Sequence, residues 1–265
     1  MKISFSTAGL YPRDTIEALK IIKDCGINYA ELMPQDISET TTDFAKEILG
    51  KDIGIKVSSI HFPLILSSFY YNCYPKMQKT TRKIIDGLIE IAELLGVEIL
   101  VSHGLPLFKD GYKKKLFYTA ILENINYLAN KADEKGINIA IENGPNYNTR
   151  TPFSHNDFIK GFSQKNIGAV IDTTEALEAK QDIFDFLKNV DNIIHFHVSD
   201  FAKDKGKHLI PGEGKINWRK FFSELNAKKF NGYVVIEPLY RYFLENPEEK
   251  IKQCLQVIKK YSNIE

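Results

Sequence analysis

The chain has 265 residues, 43% of them hydrophobic and 26% charged, with a formal net charge of +1. This supplies apolar material for a sizeable core and shows no strong electrostatic footprint for nucleic acid or an anionic membrane. Cys25, Cys73 and Cys254 are widely spaced with no CxxC pair, which argues against a disulfide framework or thiolate metal site and fits a reducing cytosol. The opening MKISFSTAGLYPRDT is too short and polar for a signal peptide, and no run of about 18 apolar residues exists, so a cytoplasmic protein without membrane spans is expected.

Short apolar runs follow one another along the chain: KISFS (2–6), YAELM (29–33), KVSSIHF (56–62), EILVSHG (98–104), NIAIENG (138–144), GAVIDT (168–173), IIHFHVSD (193–200) and YVVIEP (233–238). Between them lie stretches with apolar residues three and four apart, such as Ile84, Leu88, Ile91 and Leu95, or Leu122, Ile125, Leu128 and Ala132. Pro75 and Pro247 stand where a first helical turn tolerates proline. Eight strand-helix units in a chain of this length predict one (β/α)₈ barrel over 1–265, an α/β fold with parallel strands; a doubly wound open sheet is the competing topology.

In such a barrel the chemistry comes from the C-terminal strand ends. His61, His103, Glu142, Asp172, His197 and Glu237 all fall there, so six of the eight runs finish in a possible metal ligand. Taken singly, each could be a solvent-facing strand end; as a set they could not be scattered surface charge. Glu142, Asp172 and Glu237 converging on one mouth would place three like charges together, and without a cation at least one should take up a proton. A divalent ion beside a neutral His197 imidazole relieves that repulsion, and Mn²⁺, Mg²⁺, Co²⁺ and Zn²⁺ all suit this ligand set.

The segments IAIENG, GAVIDT, IIHFHVSD, HLIPGEGKINW (208–218) and YVVIEP resemble the xylose isomerase-like superfamily, whose barrels include sugar-phosphate isomerases and epimerases, inosose dehydratases, hydroxypyruvate isomerases and endonuclease IV-type enzymes. The resemblance spans nearly the whole chain and is specific for the superfamily rather than for a substrate. It implies that Glu142, Asp172, His197 and Glu237 hold a divalent metal. It also implies that Glu142 and Glu237 exchange a proton with the carbon next to a carbonyl, while the metal stabilises an enediolate. The expected activity is isomerisation or epimerisation of a small hydroxy-carbonyl compound such as a sugar or sugar phosphate. Dehydration, abasic-site cleavage of the endonuclease IV kind and a binding role without turnover are the other readings.

His61 and His103 match positions that hold a second metal in the endonuclease branch, so one ion is expected and two are possible; the alternative is that both bind substrate. A third site looks incomplete, because its positions here are Glu175, Gly206 and His208. His208, Glu175, Asn143 and Arg241 are the candidates for binding substrate, with a rim salt bridge as the plainer role for Glu175. Arg150 and Lys203 lie in loops on the same face, and a solvated surface role is the simpler reading for all three of these cations. His195 reads as a hydrogen-bonded histidine one layer below His197, and His155 as a solvent-facing helix residue. GEG at 212–214 is expected to turn the chain so that His208 reaches the site. Phe69, Tyr70, Tyr71 and Tyr74 would form either an apolar wall beside a sugar or a packing surface for another subunit. The expected partner is a small-molecule substrate, with neither nucleic acid nor a membrane expected and a homo-oligomer as a further reading.

Overall fold

The computed structural model describes residues 1–109 and 111–262, with Lys113 by its backbone alone. Every apolar run forms a strand: β1 (Lys2–Ser6), β2 (Tyr29–Leu32), β3 (Lys56–His61), β4 (Ile99–His103), β5 (Asn138–Glu142), β6 (Ile167–Asp172) and β7 (Ile193–Val198). After these come a two-stranded antiparallel ribbon, β8 (Asp200–Ala202) and β9 (Gly206–Leu209), and the last barrel strand, β10 (Tyr233–Ile236). β1 pairs in parallel with both β2 and β10, closing a barrel in the order β1-β10-β7-β6-β5-β4-β3-β2. Closure removes the open-sheet alternative. The run 193–200 is not one strand: β7 stops at Val198, and Asp200 opens the ribbon.

Ten α-helices alternate with the strands among the described residues: α1 (Thr15–Asp24), α2 (Thr42–Gly50), α3 (Ser67–Tyr70), α4 (Pro75–Leu95), α5 (Gly111–Asp133), α6 (Pro152–Lys160), α7 (Thr173–Glu178), α8 (Ile183–Asn189), α9 (Trp218–Ala227) and α10 (Pro247–Ser262). Their ends are coded locally. Asp14 and Asp182 cap α1 and α8 through side-chain oxygens, and Pro75 opens α4. Gly96 stops α4 in the left-handed region, at φ 66°. Ile84, Leu88 and Ile91 on α4, and Ile125, Leu128 and Ala132 on α5, are buried as their spacing predicts. None of the described helices is long and apolar enough to cross a membrane.

The main apolar core lies between the strands and the helices, where Leu100, Ile141, Ile171 and Phe196 meet helix side chains. Burying each such side chain contributes about 1.5–3 kcal/mol. Helix α4 is seated closely enough that a Cβ on Gly87 would stand 1.9 Å from the Thr40 carbonyl oxygen, so only glycine fits. Inside the barrel the apolar cluster is small, built on Ile99, Val101, Ala140 and Val170. Above it the interior is polar, and Glu31, His195 and His197 are fully buried there.

Candidate active site and metal centre

Alternation along the strands decides which residues enter the barrel. In β5, Ala140 joins the interior cluster and Glu142 follows two residues later; in β6, Val170 is followed likewise by Asp172. Glu142, Asp172, His197 and Glu237 each bring a ligand atom within 4.8 Å of the others. His197 Nδ1 lies 3.0 Å from Glu142 Oε1 and 2.9 Å from Glu237 Oε2. Ser6, at the end of β1, donates to the other Glu237 oxygen at 3.2 Å.

Asp172 is both the last residue of β6 and the N-cap of α7. Its Oδ1 accepts from the backbone N–H groups of Thr174 and Glu175, each at 2.7 Å, and from the Thr174 hydroxyl at 3.0 Å. Its Oδ2 is buried without a partner. Burial, reinforced by the charges of Glu142 and Glu175, pushes the Asp172 carboxyl up to about 7. Glu142 goes the other way: burial opposes its charge, but the His197 and His103 imidazoles hold it well below the usual carboxylate range. Three carboxylates around one ring nitrogen, one of them with an orphaned buried oxygen, make a donor set that fits a divalent cation.

The other Glu142 oxygen faces His61 and His103, whose Nε2 atoms lie 3.3 and 3.2 Å from Oε2. His61 Nδ1 lies 2.7 Å from the Phe62 carbonyl oxygen and must donate to it, so a neutral His61 would turn its Nε2 lone pair on the carboxylate. A proton or a second cation resolves that contact. His103 is steadied by Tyr147, stacked on its ring at 4.8 Å. Gly144 permits this, since a Cβ there would come 2.8 Å from the Tyr147 ring.

The four candidate substrate-binding residues divide. His208 lines a cavity of about 520 Å³ at the barrel mouth beside Glu237. Its ring is fully engaged, with Nδ1 3.2 Å from the Thr174 and Ser199 hydroxyls and Nε2 3.0 Å from Glu175. Burial disfavours its charge, but the hydrogen bond to Glu175 and the nearby Asp172 push its pKa up to about 9. Glu175 makes a salt bridge to Lys207 at 2.7 Å, the plainer of its two expected roles. Asn143 spends both side-chain groups on the Asp172 backbone, accepting from its N–H at 2.7 Å and donating to its carbonyl at 3.1 Å, which ties the ends of β5 and β6 together. Arg241 is exposed, its guanidinium 4.9 Å from the Tyr242 ring, and it is not among the cavity's lining residues; Arg150 and Lys203 are exposed too.

GEG does turn the chain, but around Asp200, whose carboxylate accepts from Phe201 N, Gly212 N, Ile216 N and Trp218 Nε1. The aromatic group splits: Tyr70 is buried in the core, Tyr71 is half-buried and 6.4 Å from the Tyr147 ring, and Tyr74 is exposed. His155 does not face solvent. It is fully buried, because the inner face of α6 brings its Nε2–H to the Ile141 carbonyl of β5 at 2.9 Å.

One buried residue escaped the sequence reading. Glu31 on β2 accepts from Ser59 Oγ at 2.7 Å and faces His195 Nε2 at 3.0 Å and His197 Nε2 at 3.2 Å. His195 is thus the hydrogen-bonded interior histidine expected. Strand alternation could have found Glu31, since a carboxylate on an inward strand position must have a partner inside the barrel.

The family model described as xylose isomerase-like TIM barrel matches residues 19–261. This chain belongs to that family. Its relatives include an uncharacterised protein of Methanocaldococcus jannaschii, 29% identical over 89% of this chain and 92% of the other. An inosose dehydratase of Geobacillus thermodenitrificans is 24% identical over 78% and 76% of the two chains. A D-psicose 3-epimerase of Agrobacterium fabrum is 26% identical over 47% and 43%. Among solved structures, a D-tagatose 3-epimerase-like protein superposes with a TM-score of 0.78, 22% identity, and coverage of 98% and 99%. The IOLI protein with a bound zinc atom superposes at 0.76, with 21% identity and full coverage of both chains.

Proposed function

We propose that this chain is a divalent-metal-dependent isomerase or epimerase of a small, uncharged hydroxy-carbonyl compound of the sugar class. The observation that carries the reading is the pair Glu142 and Glu237, both against His197 Nδ1, beside the unpartnered Asp172 Oδ2. Those four residues would hold the ion, which when bound supplies the positive charge that stabilises negative charge developing on substrate oxygen. The zinc in the IOLI protein and the sugar epimerases among the relatives support this reading.

The chain's own part is proton handling and placement. One of Glu142 and Glu237 accepts the proton from the carbon beside the carbonyl, and the other returns a proton, to the opposite face for an epimerase. Ser6 orients Glu237 and the His61–His103 pair orients Glu142. The cavity beside Glu237 is lined by Tyr11, Leu64, Ile65, Leu239 and Tyr240, with Gln35 and a His208 whose charge is already paired with Glu175, and among the described residues by no lysine or arginine. That lining favours an unphosphorylated substrate and sheds water from the reacting carbon.

The test is deuterium uptake from D₂O into a panel of ketoses, inososes and their phosphates, followed by NMR with Mn²⁺, Co²⁺, Mg²⁺ or Zn²⁺ added. Uptake at the carbon next to the carbonyl is expected for wild type and not for Glu142→Gln or Glu237→Gln. A chelator-insensitive protein, or one that exchanges no substrate with any ion, would sink the reading. Loss of water after exchange would move the assignment to a dehydratase, the activity named for the Geobacillus relative.

A further inference from the structure

We infer that Glu31 is a positioning residue for the metal centre: reaching across the barrel from β2, it holds the His197 imidazole so that Nδ1 faces Glu142 and Glu237. The inference rests on the reading that Glu142, Asp172, His197 and Glu237 hold a divalent ion.

The geometry is that of a ring gripped from behind. His197 presents Nδ1 to two carboxylates, at 3.0 and 2.9 Å, and Nε2 to a third, Glu31, at 3.2 Å. A neutral imidazole has one N–H. If Nε2–H donates to Glu31, Nδ1 keeps its lone pair for an ion between Glu142 and Glu237. If the proton sat on Nδ1, the Nε2 lone pair would oppose a fully buried carboxylate and the ring could not ligate an ion held by Glu142, Asp172 and Glu237. A buried carboxylate thus selects the ligating tautomer, as carboxylates behind ligating histidines do generally.

Glu31 is itself fixed. The Oε2 that faces His197 also accepts from Ser59 Oγ at 2.7 Å and faces His195 Nε2 at 3.0 Å, and all four residues are fully buried. Among the described residues this buried carboxylate forms no ion pair with lysine or arginine; two imidazoles and a hydroxyl gather on its Oε2 and offset the cost of burial there, while Oε1 is buried without a partner. The contact is also long-range: β1 and β10 stand between β2 and β7 in the barrel, so no neighbouring-strand hydrogen bonding accounts for it. Glu31, His195 and His197 could instead form a metal site of their own, since their atoms also converge within 4.8 Å. The experiment separates the two roles.

Metal-free wild type, Glu31→Gln and Asp172→Asn are titrated with Co²⁺, reading stoichiometry, affinity and the visible spectrum, with circular dichroism to check folding. Glu31→Gln should keep the wild-type stoichiometry, bind about 10–100-fold more weakly and shift the Co²⁺ bands. Affinity within twofold of wild type with an unchanged spectrum overturns the inference. Loss of one whole ion per chain also overturns it, by making Glu31 a ligand. A wild type that takes up no Co²⁺, or an Asp172→Asn protein that binds as tightly, brings down the metal-centre reading and this inference with it. If Glu31→Gln does not fold, ¹⁵N NMR of the Zn²⁺-loaded wild type decides: a proton on His197 Nε2 supports the inference, and one on Nδ1 overturns it.

Discussion

Outward from the strands, Leu100, Ile141, Ile171 and Phe196 meet helix side chains in a continuous apolar layer; inward from the very next residues, Val101, Glu142, Asp172 and His197 enter a barrel whose upper half is acids and imidazoles. One backbone separates the two environments, and the alternation of side chains along a strand sorts them. The outer layer stabilises the fold by burial. The inner one carries like charges and an unpartnered Asp172 oxygen that the fold must tolerate. Stability and chemistry therefore sit on opposite faces of the same strands, and substitutions on the two faces should fail in different ways.

The largest effect is expected on the inner face. Glu237→Gln should lower kcat by about 10²–10⁴-fold while the protein stays folded, as judged by turnover and thermal melting on the same sample. If melting falls as steeply as turnover, the contrast between the faces is lost. Next comes a pH dependence set by His208. Its folded pKa of about 9 lies above the unfolded 6.5, so its stabilisation is complete below pH 6.5 and is lost as pH rises through 9. Metal-free protein should lose up to about 3 kcal/mol over that window. Glu175→Gln, which removes the negative charge of its hydrogen-bond partner, should flatten the slope of Tm against pH. On the outer face, Gly87→Ala should cost about 1–3 kcal/mol of stability, because the added Cβ meets the Thr40 carbonyl, and leave Co²⁺ affinity unchanged. The smallest effect is expected at the rim: Ile65→Ser should raise KM by roughly fivefold, about 1 kcal/mol of apolar contact, with kcat held. An Ile65→Ser protein with unaltered KM would mean that the apolar side of the cavity does not touch substrate.

Much of this was legible in the sequence because strand ends announce themselves. An apolar run finishing in His61, His103, Glu142, Asp172, His197 or Glu237 places each residue at the barrel mouth without any knowledge of its neighbours. Glu31 was not legible in the same way. It sits inside YAEL rather than after it, and its partners His195 and His197 lie 164 and 166 residues away. His155 was misplaced because SHND looks solvated, whereas its depth is set by how α6 lies on β5. Asn143 shows another limit: IENG marks a site, but not that the amide would be spent on the Asp172 backbone. Residue type and strand position can be read locally, while the engagement of a side chain depends on packing between distant segments.

The closed order of the barrel has a consequence for assembly. The three acids and one imidazole proposed to hold the ion come from β5, β6, β7 and the residue after β10, and the carboxylate behind His197 comes from β2. Glu237 reaches the others only when β10 has slotted between β7 and β1. A nascent chain that has not yet added β10 and Glu237 lacks one of the four proposed ligands. On the proposed reading, metal uptake would report that the ring is shut, and an ion in the surrounding solution would pull finished barrels out of the population of partly assembled ones.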